Sequence, residues 1–264
     1  FTWCSFANWE VVNFNSFDFT KILLDFTVAE SFMMRIEFFK NRQKGKKMNI
    51  LLRDLKWDDL KALEDVIRVT WNYDRFASPK TAKKLAKVYL ASCLANQTFS
   101  RIAEADGLPV GVILGKDIEN HHCPFKYRMR QILGVIQLLM MKEGRQFLKF
   151  YQAIDGVDQK LLEQCDKPYK GEVALFALSP EYRGLGLGKQ LFHSLLQYMA
   201  QRGVPSFYLF TDTSCNFGFY EHQGMIRRQQ YRCTVTLKGQ SATMEFYLYD
   251  RPVAKEGNAP SCKR

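Results

Sequence analysis

Hydrophobic positions recur along this chain with two periods, and each change of period marks a change of element. From Leu60 to Trp71 apolar residues return every three or four positions, the spacing of an amphipathic helix, and Trp57-Asp58-Asp59 opens it. Beyond a loop from Asn72 to Pro79, Ser78-Pro79 caps a second helix, Lys80 to Leu94. Strands are expected at Asn49 to Arg53, Thr98 to Ala105 and Val110 to Leu114, the last two joined by an Asp106-Gly107 hairpin turn.

Residues 116–170 interrupt this order. Tyr127 to Met141 and Glu143 to Cys165 read as two helices, parted or kinked near Gly144. The first is apolar nearly all round (Ile132, Leu133, Val135, Ile136, Leu138, Leu139, Met140, Met141), which predicts a buried helix, either core or a lid over a pocket. An unbroken apolar run, Val173 to Leu178, then predicts a buried strand. A Pro-marked turn, a glycine-rich loop and a helix follow, and the helix ends at Arg202-Gly203. Ser206 to Thr211 is a further buried strand, and Asp212-Thr213-Ser214 caps a short helix, Cys215 to Gln223. Arg227 to Leu237 and Thr243 to Tyr249 form a closing hairpin around Lys238-Gly239. The order βααββ, helical insert, βαβα, ββ predicts an α+β domain on a mixed sheet.

The ends stand apart from this pattern. Residues 1–47 are dense in Phe and Asn and close on a basic run before Met48. They read as a leader added to a domain that starts at Met48; the competing reading is a helical arm, Ile22 to Phe39, packed on the body or a partner. The domain spans 48–250, and the tail from Arg251 is expected to be loose.

Composition changes this picture little. With 264 residues, 47% hydrophobic and 25% charged, the chain suits a globular domain with a substantial core. The net charge of +11 fits nucleic acid, an anionic membrane or a polyanionic cofactor. No Lys/Arg block interleaves with aromatics, and no apolar run reaches the ~20 residues that span a bilayer. Neither nucleic acid nor a membrane is expected as a partner. The seven cysteines (Cys4, Cys93, Cys123, Cys165, Cys215, Cys233, Cys262) are odd in number and unpatterned, which suits reduced cytoplasmic thiols and no structural zinc. His121-His122-Cys123 are adjacent and cannot converge on one tetrahedral ion without strain, so no metal is expected.

The chemistry concentrates in residues 171–190. Gly184, Gly186 and Gly188 alternate where the helix from Leu187 begins, so backbone amides and the positive end of the helix dipole face the loop. An anion belongs there. The dinucleotide pattern Gly-x-Gly-x-x-Gly is absent, and Gly188-Lys189-Gln190 does not complete a P-loop.

Arg183-x-x-Gly186-x-Gly188 after an apolar strand resembles the pyrophosphate loop of the GNAT superfamily of acyl-CoA N-acyltransferases. A second motif, Phe217-Gly218-Phe219-Tyr220-Glu221-His222-Gln223-Gly224-Met225, is similar to that family's Phe-Tyr-x-x-x-Gly-Phe helix. The resemblance covers residues 48–250 and is strongest from Glu172 to Met225. It implies a mostly antiparallel sheet flanked by helices, whose cofactor strand splays from its neighbour to admit the pantetheine of acetyl-CoA. Carried over, the amides of Arg183, Gly184, Leu185, Gly186, Leu187, Gly188 and Lys189 hold the pyrophosphate, and the backbone of Phe176 and Leu178 meets the pantetheine. Tyr220 is the implied acid for the departing thiolate, holding its proton at pH 7 with a free pKa of about 10. Where many members have Asn, this chain has Thr213, and Asn216 stands nearby; either is a candidate for the pantetheine. Glu172 matches the strand glutamate that serves as base in one branch, while a water chain serves other members.

The acceptor is expected to be a primary amine, on a small molecule or a peptide, and the protein a monomer or homodimer. The alternative is a non-catalytic acyl-CoA sensor or scaffold. Tyr73, Asp74 and Arg75 are acceptor-site candidates by position. The insert is expected to wall the acceptor pocket, with Phe147, Phe150 and Tyr151 as its lining. His193, His222 and Cys215 read as structural or surface residues.

Overall fold

Seven strands form one sheet in the order β1-β2-β3-β4-β5-β7-β6 in a computed structural model that describes residues 48–238 and 240–253. The leader and most of the tail lie outside the described residues. The strands are β1 (Ile50–Arg53), β2 (Phe99–Ala105), β3 (Leu108–Asp117), β4 (Gly171–Leu178), β5 (Ser206–Asp212), β6 (Ile226–Leu237) and β7 (Gln240–Pro252). Every neighbouring pair is antiparallel except β4 with β5. The fold is therefore α+β on a mostly antiparallel sheet. Instead of loosening at Arg251, β7 runs on to Pro252, because Arg251 and Pro252 pair with Phe207 and Ser206.

The helices are α1 (Leu60–Thr70), α2 (Tyr73–Phe76), α3 (Pro79–Ala95), α4 (Phe125–Leu139), α5 (Lys142–Glu163), α6 (Leu187–Gln201) and α7 (Gly218–His222). One face of the sheet is covered by α6, whose Leu187, Leu191, Phe192, Leu195 and Met199 recur at helical spacing and are fully buried against Phe207 and Leu209. The other face is covered by α1, α3 and α5, which pack with Leu114, Leu175, Phe210 and Phe246. Each large apolar side chain taken from water in these layers contributes about 1.5–3 kcal/mol.

Three local expectations change. The loop 72–79 contains the single-turn helix α2. The Ser78 hydroxyl does not cap α3; it donates to Glu143 at 2.6 Å, and Pro79 alone supports the helix start. The short helix begins at Gly218 rather than Cys215, because the Asp212 carboxylate draws in the Ser214 amide at 2.6 Å and holds the intervening residues in a turn.

The insert departs most from its reading. Helix α4 is not buried all round: Ile132, Leu133, Ile136, Leu139 and Met140 are exposed, and only Tyr127, Gly134 and Leu138 are buried. It packs tightly on α3 where Gly134 leaves no room for a side chain against Val88, and it meets the body again through Tyr127 stacked on Trp57 and Arg130 paired with Glu64. Helix α5 lies over β6 and β7, and its Phe147, Phe150, Tyr151, Ile154, Val157 and Leu161 complete the core. The two helices meet tightly at Gly144, where an added Cβ would stand 2.3 Å from the Leu138 carbonyl oxygen.

Candidate functional site

Strands β4 and β5 pair at only two positions, Gly171 with Phe207 and Glu172 with Tyr208, and then diverge. Beyond that point β4 stays with β3 as far as Leu178, and β5 stays with β7 as far as Asp212. A bulge contributes: the β3 register passes from Gly115 opposite Val173 to Leu114 opposite Leu175, so Ala174 is left unpaired. The result is a wedge in the sheet, lined on each side by strand edges whose amides and carbonyls suit an extended ligand chain. Phe176 and Leu178 lie along its β4 side, half-buried among the residues packed under α6.

The glycine loop closes the C-terminal end of β4. Gly184 and Gly186 have φ of +81° and +77°, a region that side chains rarely enter, and Gly186 is the residue from which α6 starts. No side chain caps α6, so the amides of Leu187, Gly188 and Lys189 open its first turn. Leu187 is buried and anchors that turn, while Leu185 and Lys189 are exposed. A Cβ on Gly188 would meet the rings of Phe219 and Phe176 at ordinary contact distance, which ties the loop to α7. Arg183 is half-buried, and no carboxylate among the described residues pairs with it. Burial lowers its pKa, yet a guanidinium this basic stays charged. Uncapped amides, a guanidinium without a carboxylate partner and open space over two glycines are features that suit an anion.

Tyr220 sits on the α6 side of the wedge. It is buried, its ring 6.4 Å from Phe176 and 6.2 Å from Tyr249. Helix α7 is pinned by Glu221, which accepts from the Tyr249 hydroxyl at 2.7 Å and pairs with Arg227 at 2.9 Å. Asn216 is exposed beside this helix. Thr213 is also exposed, and it turns toward β7, its amide donating to the Glu245 carbonyl at 3.0 Å and its hydroxyl accepting from the Glu245 amide at 3.4 Å.

Glu172 lies on the opposite face, at the last pair before the strands part. It is 3% exposed, so it is not a solvated strand end. The Tyr208 hydroxyl donates to its Oε2 at 3.3 Å, the Lys116 ammonium is 4.0 Å away, and Oε1 is buried with no hydrogen-bond partner among the described residues. Burial pushes this carboxyl up, against the opposing pull of Lys116 and Tyr208. Glu172 and Tyr220 thus stand on either side of the divergence.

Around Glu172 lies a polar interior that the strand pattern did not disclose. Tyr73 and Tyr151 are buried and joined hydroxyl to hydroxyl at 2.8 Å. Asp74 instead faces outward near Arg68 at 3.5 Å. Phe147 and Phe150 are core residues, so only Tyr151 of the three expected lining residues brings a polar atom inward. Asp212 and Asp158 are buried on the same side of the sheet. Asp158 was visible in principle: Tyr151, Ile154, Asp158 and Leu161 recur at helical spacing, so an acid occupies a core position of α5. His193 is exposed, His222 bonds the Gly218 carbonyl at 2.6 Å and His121 bonds the Ala95 carbonyl at 3.0 Å. Among the described residues no three His, Cys, Asp or Glu groups converge on a metal.

The model of the acetyltransferase (GNAT) family matches residues 63–225. No curated protein matches the chain. Solved structures similar to it include the ribosomal-protein-S18-alanine N-acetyltransferase from Escherichia coli, with 14% identity, a TM-score of 0.45, and coverage of 80% of this chain and 99% of that one. An N-acetyltransferase from Staphylococcus aureus Mu50 has 13% identity and a TM-score of 0.47, covering 78% and 99%. The PaiA N-acetyltransferase from Thermoplasma acidophilum, solved in complex with coenzyme A, has 17% identity and a TM-score of 0.43, covering 77% and 99%. The family match takes in the wedge, the glycine loop and the Tyr220 helix and spans more than half of the sequence, so the chain belongs to the GNAT acetyltransferase family.

Proposed function

We propose that this acyltransferase moves an acetyl group from acetyl-CoA to a primary amine by direct attack within a ternary complex. The observation that carries the reading is the wedge between β4 and β5, with an uncapped helix start at its end and a buried carboxylate at its apex. Acetyl-CoA supplies the activated acyl group. The amides from Arg183 to Lys189 and the Arg183 guanidinium hold its pyrophosphate, and the β4 edge at Phe176 and Leu178 aligns the pantetheine. Asn216 and Thr213 flank the far side, although the Thr213 hydroxyl is already engaged with β7.

Glu172 takes the proton from the acceptor ammonium, a role that suits a carboxyl raised by burial. A backbone N–H near Leu178 donates to the thioester oxygen as charge develops there, a contribution of a few kcal/mol. Tyr220 returns a proton to the departing thiolate from the opposite face. Thiol release from acetyl-CoA across a pooled set of amines and peptides tests the reading. Turnover with at least one primary amine is expected. Tight acetyl-CoA binding without thiol release from any acceptor would instead indicate an acyl-CoA sensor.

A further inference from the structure

Two buried acids near the wedge are left unused by the proposed chemistry, Asp212, whose carboxylate is engaged by the Ser214 amide, and Asp158. Asp158 is 3% exposed on α5, and both of its carboxylate oxygens are buried without a hydrogen-bond partner among the described residues. It lies within electrostatic reach of Glu172 on β4, of Asp212 and Tyr208 on β5, and of Asp155 on its own helix. Lys116 stands at Glu172, 4.0 Å from its Oε2, and no ion pair reaches Asp158 among the described residues. Burial, with Asp155, Asp212 and Glu172 nearby, raises this carboxyl, so it holds its proton when alone, and an arriving cation would be met by its ionised form. Since no three ligating groups converge among the described residues, a metal ion does not suit it, whereas an ammonium on a flexible carbon chain does.

The reaction itself separates the roles of the two acids. The nitrogen that attacks must lose its proton, which is the part given to Glu172. A second acid, on a different element and facing the same interior, is suited to a nitrogen that keeps its proton throughout. We propose that Asp158 is a specificity-determining residue that receives a second positive charge on the acceptor, so that the preferred acceptor is an aliphatic diamine or polyamine. This rests on the acetyl-transfer reading for the identity of the reacting nitrogen, but binding alone can test it.

The test is titration calorimetry on the full chain saturated with CoA, comparing 1,4-diaminobutane with 1-aminobutane. The diamine is expected to bind at least tenfold more tightly. In Asp158→Asn, which keeps the shape and removes the charge, the two amines should bind within about threefold of each other while CoA affinity is unchanged. Equal affinities in the unaltered protein overturn the proposal without reference to any variant. So does a diamine preference that survives Asp158→Asn. Thiol release measured alongside separates the two readings: a diamine preference without turnover sinks acetyl transfer alone, and turnover of both amines without a preference sinks the role of Asp158 alone.

Discussion

Glu172 illustrates how little of a residue's chemistry its own identity decides. As a free side chain it is a carboxylate at neutral pH; buried at the apex of the wedge, it holds its proton to higher pH. A base works only when ionised, so kcat/KM should rise with pH through a value above the ordinary glutamate pKa of about 4.5. In Glu172→Gln the rate should fall about 100-fold or more, and this acid limb should vanish from the pH profile. A limb that persists in the variant assigns it to another group. On the other side, Tyr220→Phe removes one hydroxyl from a packed ring, so turnover should drop at least tenfold while acetyl-CoA affinity stays within twofold. Unchanged turnover removes Tyr220 from the mechanism. Tyr220 was a candidate from the sequence because it lies in a short motif, and Glu172 because the family resemblance matches it to a strand glutamate; its burial is visible only in the folded chain. For Asp158 the helical spacing shows only that an acid occupies a core position; its acidic neighbours on β4 and β5 come from the packing of α5 across the sheet.

At the scale of elements, the insert is part of the core. Helix α5 supplies Phe147, Phe150, Ile154 and Leu161 to the interior beside β6 and β7, so removing residues 116–170 would open the core as well as any acceptor pocket. Its first turn is fastened by Glu143, which accepts from the Ser78 amide and hydroxyl and pairs with Lys238 at the end of β6. Burial raises this carboxyl, but the hydrogen bonds from Lys238, Ser78 and Thr81 outweigh it and hold its pKa at about 2. A pKa depressed in the folded state means that the stabilisation is complete above the unfolded value near 4.5 and is lost as pH falls toward 2. Glu143 is partly exposed, so screening leaves a contribution of about 1–2 kcal/mol. Glu143→Gln should therefore lower Tm at pH 7 and narrow the Tm difference from the unaltered protein as pH approaches 2; a constant difference would place the effect elsewhere. The periodicity of α4 misled because an apolar helix reads as buried, whereas here Tyr127, Gly134 and Leu138 are buried and Ile132, Leu133, Ile136 and Leu139 stay exposed.

Across the whole molecule, the order of strands and helices followed from the alternation of periods, and the mixed sheet followed from that order. The hairpin at Asp106-Gly107, the buried strands and the helix from Leu187 all depend on local residue choice. The wedge depends on two strands separated by a helix, on a bulge at Ala174, and on the switch of β5 from β4 to β7. None of these has a local signature, so the residues alone do not disclose the divergence, and only the family resemblance implies it. The wedge and its glycine-lined end form the cofactor half of the account. Its most direct test is titration of the full chain with acetyl-CoA, beside Gly186→Val, which forces a branched side chain into φ near +77° at the start of α6. One molecule of acetyl-CoA per chain is expected to bind at micromolar concentration, with at least tenfold weaker binding in the folded variant. No binding, or equal binding by both proteins, would contradict the placement of the cofactor in this loop.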